Sequence, residues 1–522
     1  MSSVLSLSAS GIAASVARGE LSALEAAVGC IRRIEAVDGR LNAVVVRLFD
    51  EALLQARAAD ARRARGESLG PLHGVPFTVK EMFDVAGMPT TAGLARLAGI
   101  RAAKDAPVVH RLREAGAIVL GKTNVPQLGM FFESENPLYG LTESPWSRDR
   151  SPGGSSGGEA AIIAAGGSPL GLGSDAGGSI RQPAHACGIC GLKPTALRLG
   201  MEGHFTLPNW LPEWIQPGPM ARVVEDLALA MDALASPAAA GVPAWPSRTG
   251  KVSEASLRKV RVGVYEDDGY YRACPGARRA VREAAQALRE RGVEVEEFQP
   301  PAVMEGLRIY FALFLADGLA CMRRLVRGSP RDWRIRKPLT GALAPTILRG
   351  AGAWVLDLLG RRYEAQMARW ASRRVLSSAA RRSLVEEQAG YQRRFMDALE
   401  ARRLDALLCP PSGLPALRHG CYYSTFAGSY TILYNLLGFP AGVVPVTRVR
   451  EGEESDRSSG ADPVSREASR VEAGSAGLPL GVQVAALPWR EDIVLGLMAA
   501  IEEGVRGGPD FPRRPVGEEG RA

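Results

Sequence analysis

The sequence is poor in the features that mark secreted chains. Its 522 residues include seven cysteines, an odd number scattered from Cys30 to Cys421, so no paired disulfide framework is evident. The opening MSSVLSLSASGIAASVARGE has neither a basic start nor a sustained apolar core, as a secretory signal would have. These two absences exclude a disulfide-stabilised secreted scaffold and favour a reducing, cytoplasmic setting.

Long uncharged runs are also scarce. Residues 420–447 carry no charge and are long enough to cross a bilayer. They contain Asn435 and are broken by glycines and prolines between positions 438 and 445, which is typical of a buried helix (SYTILYNLL) that turns into a buried strand (AGVVPV). With 46% hydrophobic and 23% charged residues, the composition is that of a soluble globular protein.

Positive charge is concentrated in one part of the chain. The whole chain has a net charge of +8, but residues 320–382 contain 15 arginines and lysines and three acidic residues, a net charge of +12. Such a segment attracts anionic surfaces, either phospholipid headgroups or nucleic acid. A solvated basic face without a partner is the alternative.

Within this basic segment, large apolar residues recur at helical spacing. They are Val355, Leu359, Tyr363, Met367 and Trp370. A stripe of this kind predicts either a helix packed on the core or, with arginines beside it, an interfacial membrane helix.

Alternating strand and helix patterns run through most of the chain. After a helical region over residues 7–65, apolar runs predict strands at 74–80, 117–121, 260–265, 293–298, 404–410, 441–446 and 480–487. The intervening segments predict helices, which indicates an α/β fold with a sheet covered on both faces. Residues 448–476, rich in Ser, Glu, Arg and Gly, predict a solvated loop. No linker divides the chain, so we expect a single domain over residues 1–522.

The densest chemical signal is the glycine- and serine-rich segment 151–195, SPGGSSGGEAAIIAAGGSPLGLGSDAGGSIRQPAHACGICGLKPT. The apolar AAIIAA and the strand-like PLGLG exclude a flexible linker. No phosphate-binding G-x-x-x-x-G-K-[ST] occurs, and GLGSDAG misplaces the last glycine of a dinucleotide fingerprint. Ser179 is not in a G-x-S-x-G elbow, because Arg181 stands at the fifth position. The glycines therefore predict backbone folded tightly around a ligand.

This segment resembles the signature of the amidase-signature enzymes, and Lys80 in FTVKEMFD matches the upstream lysine of that family. The spacings, 75 residues from Lys80 to Ser155 and 24 from Ser155 to Ser179, fit the family's order of lysine, cis-serine and serine. The resemblance implies a large mixed twisted β-sheet covered by helices, with the signature core at about residues 70–200. It also implies that Ser179 is the nucleophile, Lys80 the base, and Ser155 the bridge that follows a cis peptide bond.

A lysine base has a physical rationale of its own. A serine hydroxyl is a weak nucleophile and needs an adjacent base, which most hydrolases supply as histidine, yet only His185 lies near this segment. Lysine replaces histidine only when it is neutral, and burial among apolar neighbours lowers its pKa. The alternative is a surface lysine paired with Glu81 or Asp84.

Other residues of the segment predict the rest of the site. Successive backbone N–H groups with little side-chain obstruction suit an oxyanion hole. Its predicted members are Ala176, Gly177, Gly178 and Ser179. The residues interpreted as holding these loops are Ser156, Asp175 and Arg181, although Asp175 and Arg181 alternatively form only a structural ion pair. Cys187 and Cys190 form a lone C-x-x-C that lacks two further ligands at regular spacing, so we expect no metal, and the triad needs no cofactor.

Beyond the signature, the chain is similar to the fatty-acid amide hydrolase branch, notably in SYTILYNLLGFPAGVVPVT and GLPLGVQVAALPW. The resemblance implies hydrolysis of a fatty-acid amide or N-acyl amine to fatty acid and amine, a cap at about residues 339–376 that meets an anionic membrane, and a homodimer. Met130 and Phe131 are candidates by analogy for the acyl channel. Two departures stand out: we expect no amino-terminal spanning helix like that of eukaryotic members, and Ala176 replaces a usual isoleucine.

Three alternatives stay open at this point. The first is an amidase of polar or aryl amides, and the second is a glutaminase-type amidotransferase subunit that uses its basic patch near tRNA. The third is a lipid-binding or scaffold protein that retains the fold without activity. Under the leading hypothesis we expect a small lipid amide as substrate, no nucleic-acid partner, and a cytoplasmic protein that meets the inner membrane surface peripherally.

Overall fold

A mixed β-sheet of eleven strands organises the residues that the computed structural model describes, which are 2–208, 211–235, 242–245, 254–341, 346–371, 375–457 and 462–513. A separate two-stranded hairpin is formed by β4 and β5. The strands are β1 (Val44–Arg47), β2 (Pro76–Lys80), β3 (Ile118–Thr123), β4 (Glu135–Asn136), β5 (Gly140–Leu141), β6 (Leu170–Asp175), β7 (Cys190–Lys193), β8 (Gln216–Ala221), β9 (Arg261–Val264), β10 (Glu294–Glu297), β11 (Ala406–Cys409), β12 (Ala441–Arg448) and β13 (Pro479–Ala486).

Helices occupy much of the remaining described chain. They are α1 (Ser2–Ser6), α2 (Ala9–Arg18), α3 (Ala23–Leu41), α4 (Phe49–Ala64), α5 (Pro107–Glu114), α6 (Gly157–Ala164), α7 (Arg181–Cys187), α8 (Val224–Leu234), α9 (Glu254–Leu257), α10 (Pro275–Glu290), α11 (Val303–Phe314), α12 (Ala320–Leu325), α13 (Trp333–Gly341), α14 (Thr346–Leu358), α15 (Arg362–Ala371), α16 (Ser378–Ala401), α17 (Ser424–Ala427), α18 (Ser429–Leu436), α19 (Pro463–Glu472) and α20 (Glu491–Val505).

The strand order is β1-β3-β2-β6-β8-β7-β12-β13-β11-β9-β10. Parallel pairs occur where a helix connects the two strands, as in β2-α5-β3 and β9-α10-β10, because a parallel neighbour needs a crossover connection. The central strands β6, β8, β7, β12 and β13 pair antiparallel. The predicted strands of the sequence are confirmed, and they all belong to this one sheet.

Helices cover both faces of the sheet. Val443 and Val444 are neighbours in β12, so their side chains point to opposite faces, and both are fully buried. Val444 packs in the core that α8, α10 and α20 help to form, whereas Val443 packs with Ile180 and Ala184 on the side of α6 and α7. The predicted α/β fold is therefore confirmed. A further core, rich in aromatic side chains, lies where α11 meets α15, α16 and α18.

The uncharged stretch over residues 420–447 folds as predicted. It contains the buried helix α18, which leads into the buried strand β12. Within the part of the chain that the structure describes, no helix has both the length and the apolar character to cross a membrane.

The helical region predicted over residues 7–65 is interrupted by a strand. Helix α3 stops at Leu41, because Asn42 adopts a left-handed conformation (φ 51°) and the Asp38 carboxylate accepts the N–H groups of Ala43 and Val44 at 2.7 and 3.1 Å. The chain then enters β1, which pairs antiparallel with β3 at the edge of the sheet.

The solvated loop predicted over residues 448–476 is wrong for its second half. Helix α19 lies there, and it begins where the Asp462 carboxylate accepts the Ser465 N–H at 3.0 Å. Val464, Ala468 and Val471 recur at helical spacing and are buried. Small apolar residues at the right spacing therefore sufficed to anchor a polar helix. Residues 458–461 of the predicted loop lie outside the described residues.

The apolar stripe of the basic segment is divided between two helices. Gly360, with φ 71°, separates α14 from α15. Tyr363 is buried in the aromatic core, whereas the side chains of Val355 and Leu359 are 47% and 59% exposed. The core interpretation thus holds for α15, whereas α14 presents apolar residues to the outside, and its contact with a membrane stays a prediction. Residues 342–345 and 372–374 of the predicted cap lie outside the described residues.

Candidate active site

Lys80 is the buried centre of the candidate site. It is the last residue of β2 and is only 1% exposed. Its Nζ lies 2.7 Å from Ser155 Oγ, 3.0 Å from Ser174 Oγ and 3.1 Å from the Ser174 carbonyl oxygen. The alternative surface pairing with Glu81 does not occur, because the Glu81 carboxylate accepts backbone N–H groups elsewhere.

Burial governs the protonation of Lys80. It lowers the pKa of this amine to about 7, against the opposing influence of the carboxylates of Asp175 and Glu159. Burial also raises the pKa of Glu159 to about 8, although the hydroxyl groups of Thr123 and Thr78 bind its two oxygens. A protonated Glu159 holds little charge against Lys80, which leaves the amine free to exist in its neutral form.

Ser155 follows a cis peptide bond from Gly154, as the resemblance implied. The backbone around this bond is crowded: a Cβ at position 154 would lie 2.9 Å from the Phe131 carbonyl oxygen and 3.0 Å from the Glu133 nitrogen. Glycine is therefore required here for steric reasons. Ser155 itself is 3% exposed, and its hydroxyl faces the amine of Lys80.

Ser179 lies in the turn between β6 and α7 and is 9% exposed. The Ser156 N–H donates to the Ser179 carbonyl oxygen at 3.1 Å, which joins the turn to the segment of Ser155. Among the described residues no hydrogen bond joins the hydroxyl groups of Ser155 and Ser179. Catalytic hydrogen bonds are often long or poorly aligned before substrate binds.

The peptide groups before Ser179 are held from behind. The Tyr310 hydroxyl donates to the Ala176 carbonyl oxygen at 2.9 Å, and Thr431 Oγ1 donates to the Gly177 carbonyl oxygen at 2.9 Å. Because the C=O and N–H of one peptide group point in opposite directions, these contacts fix where the next N–H group points.

One member of the predicted oxyanion hole is already engaged. The Gly178 N–H donates to Asp175 Oδ1 at 2.7 Å, which removes it as a free donor. Within the described part of the chain, the N–H groups of Ala176, Gly177 and Ser179 have no protein acceptor. Of the four predicted donors, Gly178 is therefore engaged elsewhere in this structure, and Ala176, Gly177 and Ser179 stay the candidates for an oxyanion hole.

Asp175 and Arg181 form a completely buried ion pair, with Nη2 2.9 Å from Oδ1 and Nε 3.0 Å from Oδ2. Burial would raise the pKa of Asp175, but Arg181 holds it well below its usual range. Asn435 Nδ2 donates to the same carboxylate at 3.0 Å, and Gln483 Oε1 accepts from Arg181 at 2.7 Å. The pair is thus structural, and through the Gly178 N–H it also shapes the turn that carries Ser179. Both interpretations of the two residues apply together.

Ser156 occupies a supporting position. Its Oγ accepts the Ser174 N–H at 3.4 Å and donates to the Ser174 carbonyl oxygen at 3.3 Å. It thereby fixes the strand end whose carbonyl oxygen and hydroxyl contact Lys80.

The histidine nearest in sequence takes no part in the chemistry. His185 Nδ1 accepts the Gly481 N–H at 3.1 Å, so its Nε2 is the protonated nitrogen and donates to the Leu414 carbonyl oxygen at 3.1 Å. Burial lowers its pKa to about 4, which makes it a neutral structural residue. Cys187 and Cys190 are likewise buried, and among the described residues no group of three potential metal ligands occurs.

Phe131 lies close to the residue before Ser155. Its carbonyl oxygen approaches Gly154, and the side chains of Met130 and Phe131 pack partly buried against the aromatic core. Phe131 faces Tyr422 with ring centroids 6.0 Å apart. A role of Met130 and Phe131 in an acyl channel stays a prediction.

Several residues that build the site were missed in the sequence. Asn435 offered a signal, since it is a polar residue in an otherwise apolar helix, and Ser174 lies within the signature itself. Tyr310 and His204 offered none, because each reaches the site from a distant part of the chain. His204 Nε2 lies 2.9 Å from Ser174 Oγ, which is the second hydroxyl group in contact with Lys80.

The chain is similar to known amidases over most of its length. The family model described as Amidase matches residues 25–495. Fatty-acid amide hydrolase 1 of Sus scrofa is 36% identical over 93% of this chain and 84% of its own length. A glutamyl-tRNA(Gln) amidotransferase subunit of Salinispora arenicola is 34% identical over 98% of this chain and 99% of its own length.

A solved structure described as fatty acid amide hydrolase superposes with a TM-score of 0.80 at 25% identity, over 98% of this chain and 86% of that one. A match over nearly the whole chain, with relatives above 30% identity, leaves no ambiguity at the level of family. The chain belongs to the amidase family and is a hydrolase that acts on amides.

Proposed function

We propose that this amidase is a serine amidohydrolase that cleaves fatty-acid amides or N-acyl amines to a fatty acid and an amine. The observation that carries the proposal is the buried Lys80 amine, which lies 2.7 Å from the hydroxyl of Ser155. The next residue, Ser156, contacts the turn that carries Ser179. A neutral amine in this position is a general base for a serine relay.

The reaction proceeds through an acyl-enzyme. Ser179 Oγ attacks the amide carbonyl carbon while its proton passes to Ser155 Oγ, whose own proton passes to Lys80 Nζ. The oxyanion is bound by the N–H groups of Ala176, Gly177 and Ser179. Collapse of the tetrahedral intermediate breaks the C–N bond, and the leaving amine takes its proton back along the same relay. Water then attacks the ester and the relay runs again, which releases the fatty acid.

An apolar wall beside the nucleophile supports a lipid substrate. Tyr310 stacks on Trp214 with ring centroids 4.5 Å apart, and the neighbouring Phe311 stacks on Trp370 of α15 at 5.4 Å. The Tyr310 hydroxyl and Ile432 both lie next to Gly177. An acyl chain gains about 0.8 kcal/mol for each methylene group that such a surface buries.

Two exposed features support peripheral contact with an anionic membrane. Helix α14 presents Trp354, Val355 and Leu358 at 64%, 47% and 67% exposure. Between α12 and α13 lies a surface pocket of about 410 Å³ whose lining residues are Arg323, Arg324, Arg327, Arg331, Arg336, Leu339 and Thr340. Among the described residues, Arg324, Arg327, Arg331 and Arg336 form no ion pair with a carboxylate. We define these five arginines as the arginine pocket, a surface suited to phosphate oxygens.

The relatives keep two other substrate classes open. Salinispora arenicola carries a glutamyl-tRNA(Gln) amidotransferase subunit of similar length, and other solved neighbours include a peptide amidase at 26% identity. A glutaminase-type subunit would use the arginine pocket for RNA, and an amidase of polar or aryl amides would not use it.

The nucleophile is tested by covalent labelling. A serine-directed fluorophosphonate labels the wild-type protein at Ser179, and Ser179→Ala abolishes both labelling and amide hydrolysis, with activity reduced by about 10⁴-fold or more. Ser168→Ala is a matched control, since this buried serine only donates to a nearby carbonyl oxygen, and it keeps labelling intact. A labelled Ser179→Ala protein would contradict the assignment.

The base is tested by the pH dependence of kcat/KM. Lys80 acts in its deprotonated form, so activity rises with pH, is half-maximal near the pKa of about 7, and falls tenfold per pH unit below it. Lys80→Ala removes this step in the profile and lowers kcat/KM by at least about 10²-fold. A profile that declines through pH 7, or one that persists in Lys80→Ala, would rule out a lysine base.

Substrate class is tested with N-acyl amines of graded chain length. We expect kcat/KM to rise about three- to fourfold per methylene group until the channel is filled, in keeping with the burial energy above. Lys80→Ala supplies the background rate. Highest activity on L-glutamine, or on short polar or aryl amides, would favour one of the alternatives instead.

Membrane contact is tested by flotation with phosphatidylcholine vesicles, with and without phosphatidylglycerol. We expect binding to the anionic vesicles that weakens as salt is added, because exposed charges are screened. Arg324→Ala with Arg327→Ala and Arg331→Ala reduces it, as does Trp354→Ser with Leu358→Ser, while hydrolysis of a short soluble amide stays unchanged. Salt-dependent binding to tRNA in place of vesicles would identify the RNA alternative.

A further inference from the structure

Lys80 has three oxygen neighbours, and a neutral amine cannot donate a hydrogen bond to all three. It carries two N–H groups and one lone pair, whereas its neighbours are the hydroxyl groups of Ser155 and Ser174 and the Ser174 carbonyl oxygen. The carbonyl oxygen can only accept, so it takes one N–H. The lone pair then faces either Ser155, which makes Lys80 a base, or Ser174, which makes it inactive.

The hydroxyl of Ser174 therefore decides whether the relay is connected. If Ser174 keeps its proton directed at Lys80, it occupies the lone pair that Ser155 needs. If that proton goes elsewhere, Ser174 Oγ accepts the second N–H of the amine and the lone pair is left for Ser155. The other polar atom within reach of Ser174 Oγ is His204 Nε2 at 2.9 Å.

The local backbone places His204 at this point. Residues 203–205 pair with the chain just after β2: the Asp84 N–H donates to the Gly203 carbonyl oxygen and the Phe205 N–H to the Met82 carbonyl oxygen, at 2.7 and 2.8 Å. The imidazole packs edge-on against Phe83, with ring centroids 4.6 Å apart. The ring thus packs on Phe83, which lies three residues after Lys80 at the end of β2.

A second contact bears on the tautomer of His204. Its Nδ1 lies 2.9 Å from Thr206 Oγ1, whose own hydroxyl is 3.4 Å from the His204 carbonyl oxygen. These distances accommodate either tautomer. With the proton on Nδ1, which then donates to Thr206 Oγ1, Nε2 is unprotonated and accepts from Ser174, and the role argued for His204 requires this tautomer. Burial and the nearby Lys80 hold the pKa of His204 well below its usual range, which keeps the ring neutral.

We propose that His204 is a positioning residue for amide hydrolysis: it accepts the hydrogen bond of the Ser174 hydroxyl and so directs the lone pair of Lys80 toward Ser155. This inference rests on the proposed serine mechanism. Ser174 Oγ remains an acceptor whether Lys80 is neutral or protonated, so only the contact between Lys80 and Ser155 reverses direction during turnover.

A double-mutant cycle tests the inference. His204→Phe keeps a ring against Phe83 and removes both nitrogens, so the Ser174 proton turns to Lys80, and we expect the rate of fluorophosphonate labelling to fall at least tenfold. Ser174→Ala alone removes one N–H acceptor and costs less than threefold. In the double variant no hydroxyl competes for the lone pair, so the rate returns to within threefold of that of Ser174→Ala.

The recovery separates positioning from a structural role. If His204 only fills space, the double variant is at least as slow as His204→Phe, and that result would overturn the proposal, as would a His204→Phe protein with wild-type rate. Should His204→Phe not fold, Thr206→Val supplies the test: it frees the tautomer and slows labelling severalfold, whereas Thr206→Ser does not. Equal rates in Thr206→Val and wild type would likewise count against it. Failure of the serine mechanism itself is distinguishable, because it shows as labelling that persists in Ser179→Ala.

Discussion

The site depends on keeping one primary amine out of water. Lys80 is 1% exposed at the end of an interior strand of the sheet, and the loss of hydration lowers its pKa toward neutrality. Every other feature of the site follows from that constraint. Neighbouring carboxyl groups have to be either neutralised or paired, and each hydrogen-bond partner of the amine has to have a defined direction.

The two nearby acids meet this requirement in different ways. Asp175 is ionised, but Arg181 lies 2.9 Å away and Asn435 also binds it, so its charge is balanced within its own network. Glu159 has no cation in direct contact among the described residues, and burial raises its pKa to about 8, so it is largely protonated at neutral pH. Neither acid could lie beside Lys80 as an unpaired carboxylate. Such a charge would raise the pKa of Lys80 and keep the amine charged.

Alternating apolar runs predicted the strands of the sheet, since strand patterns are encoded locally. The family resemblance singled out Lys80, Ser155 and Ser179, and the structure brings Lys80 to Ser155 and joins the segment of Ser155 to that of Ser179, while their catalytic roles stay predictions. The long-range contacts could not be predicted from the sequence. The carbonyl oxygens of Ala176 and Gly177 are bound by Tyr310 and Thr431, which lie more than 130 residues away. The sequence around Tyr310 and Thr431 does not mark them as part of the site. The end of α3 and the helix α19 were missed because single capping carboxylates, Asp38 and Asp462, decide them.

The two histidines near the signature illustrate why distance along the chain misleads. His185 lies six residues from Ser179, yet both its nitrogens are bound to backbone atoms of other segments, so it carries no proton for the reaction. His204 lies 25 residues after Ser179, outside the signature segment, and still reaches the hydroxyl group that competes for the lysine lone pair. In a site where lysine is the base, the His204 imidazole can still position a hydroxyl group without transferring a proton to the substrate. A neutral ring with one fixed N–H is a directional acceptor, and direction is what a lysine with one lone pair and two hydroxyl neighbours lacks.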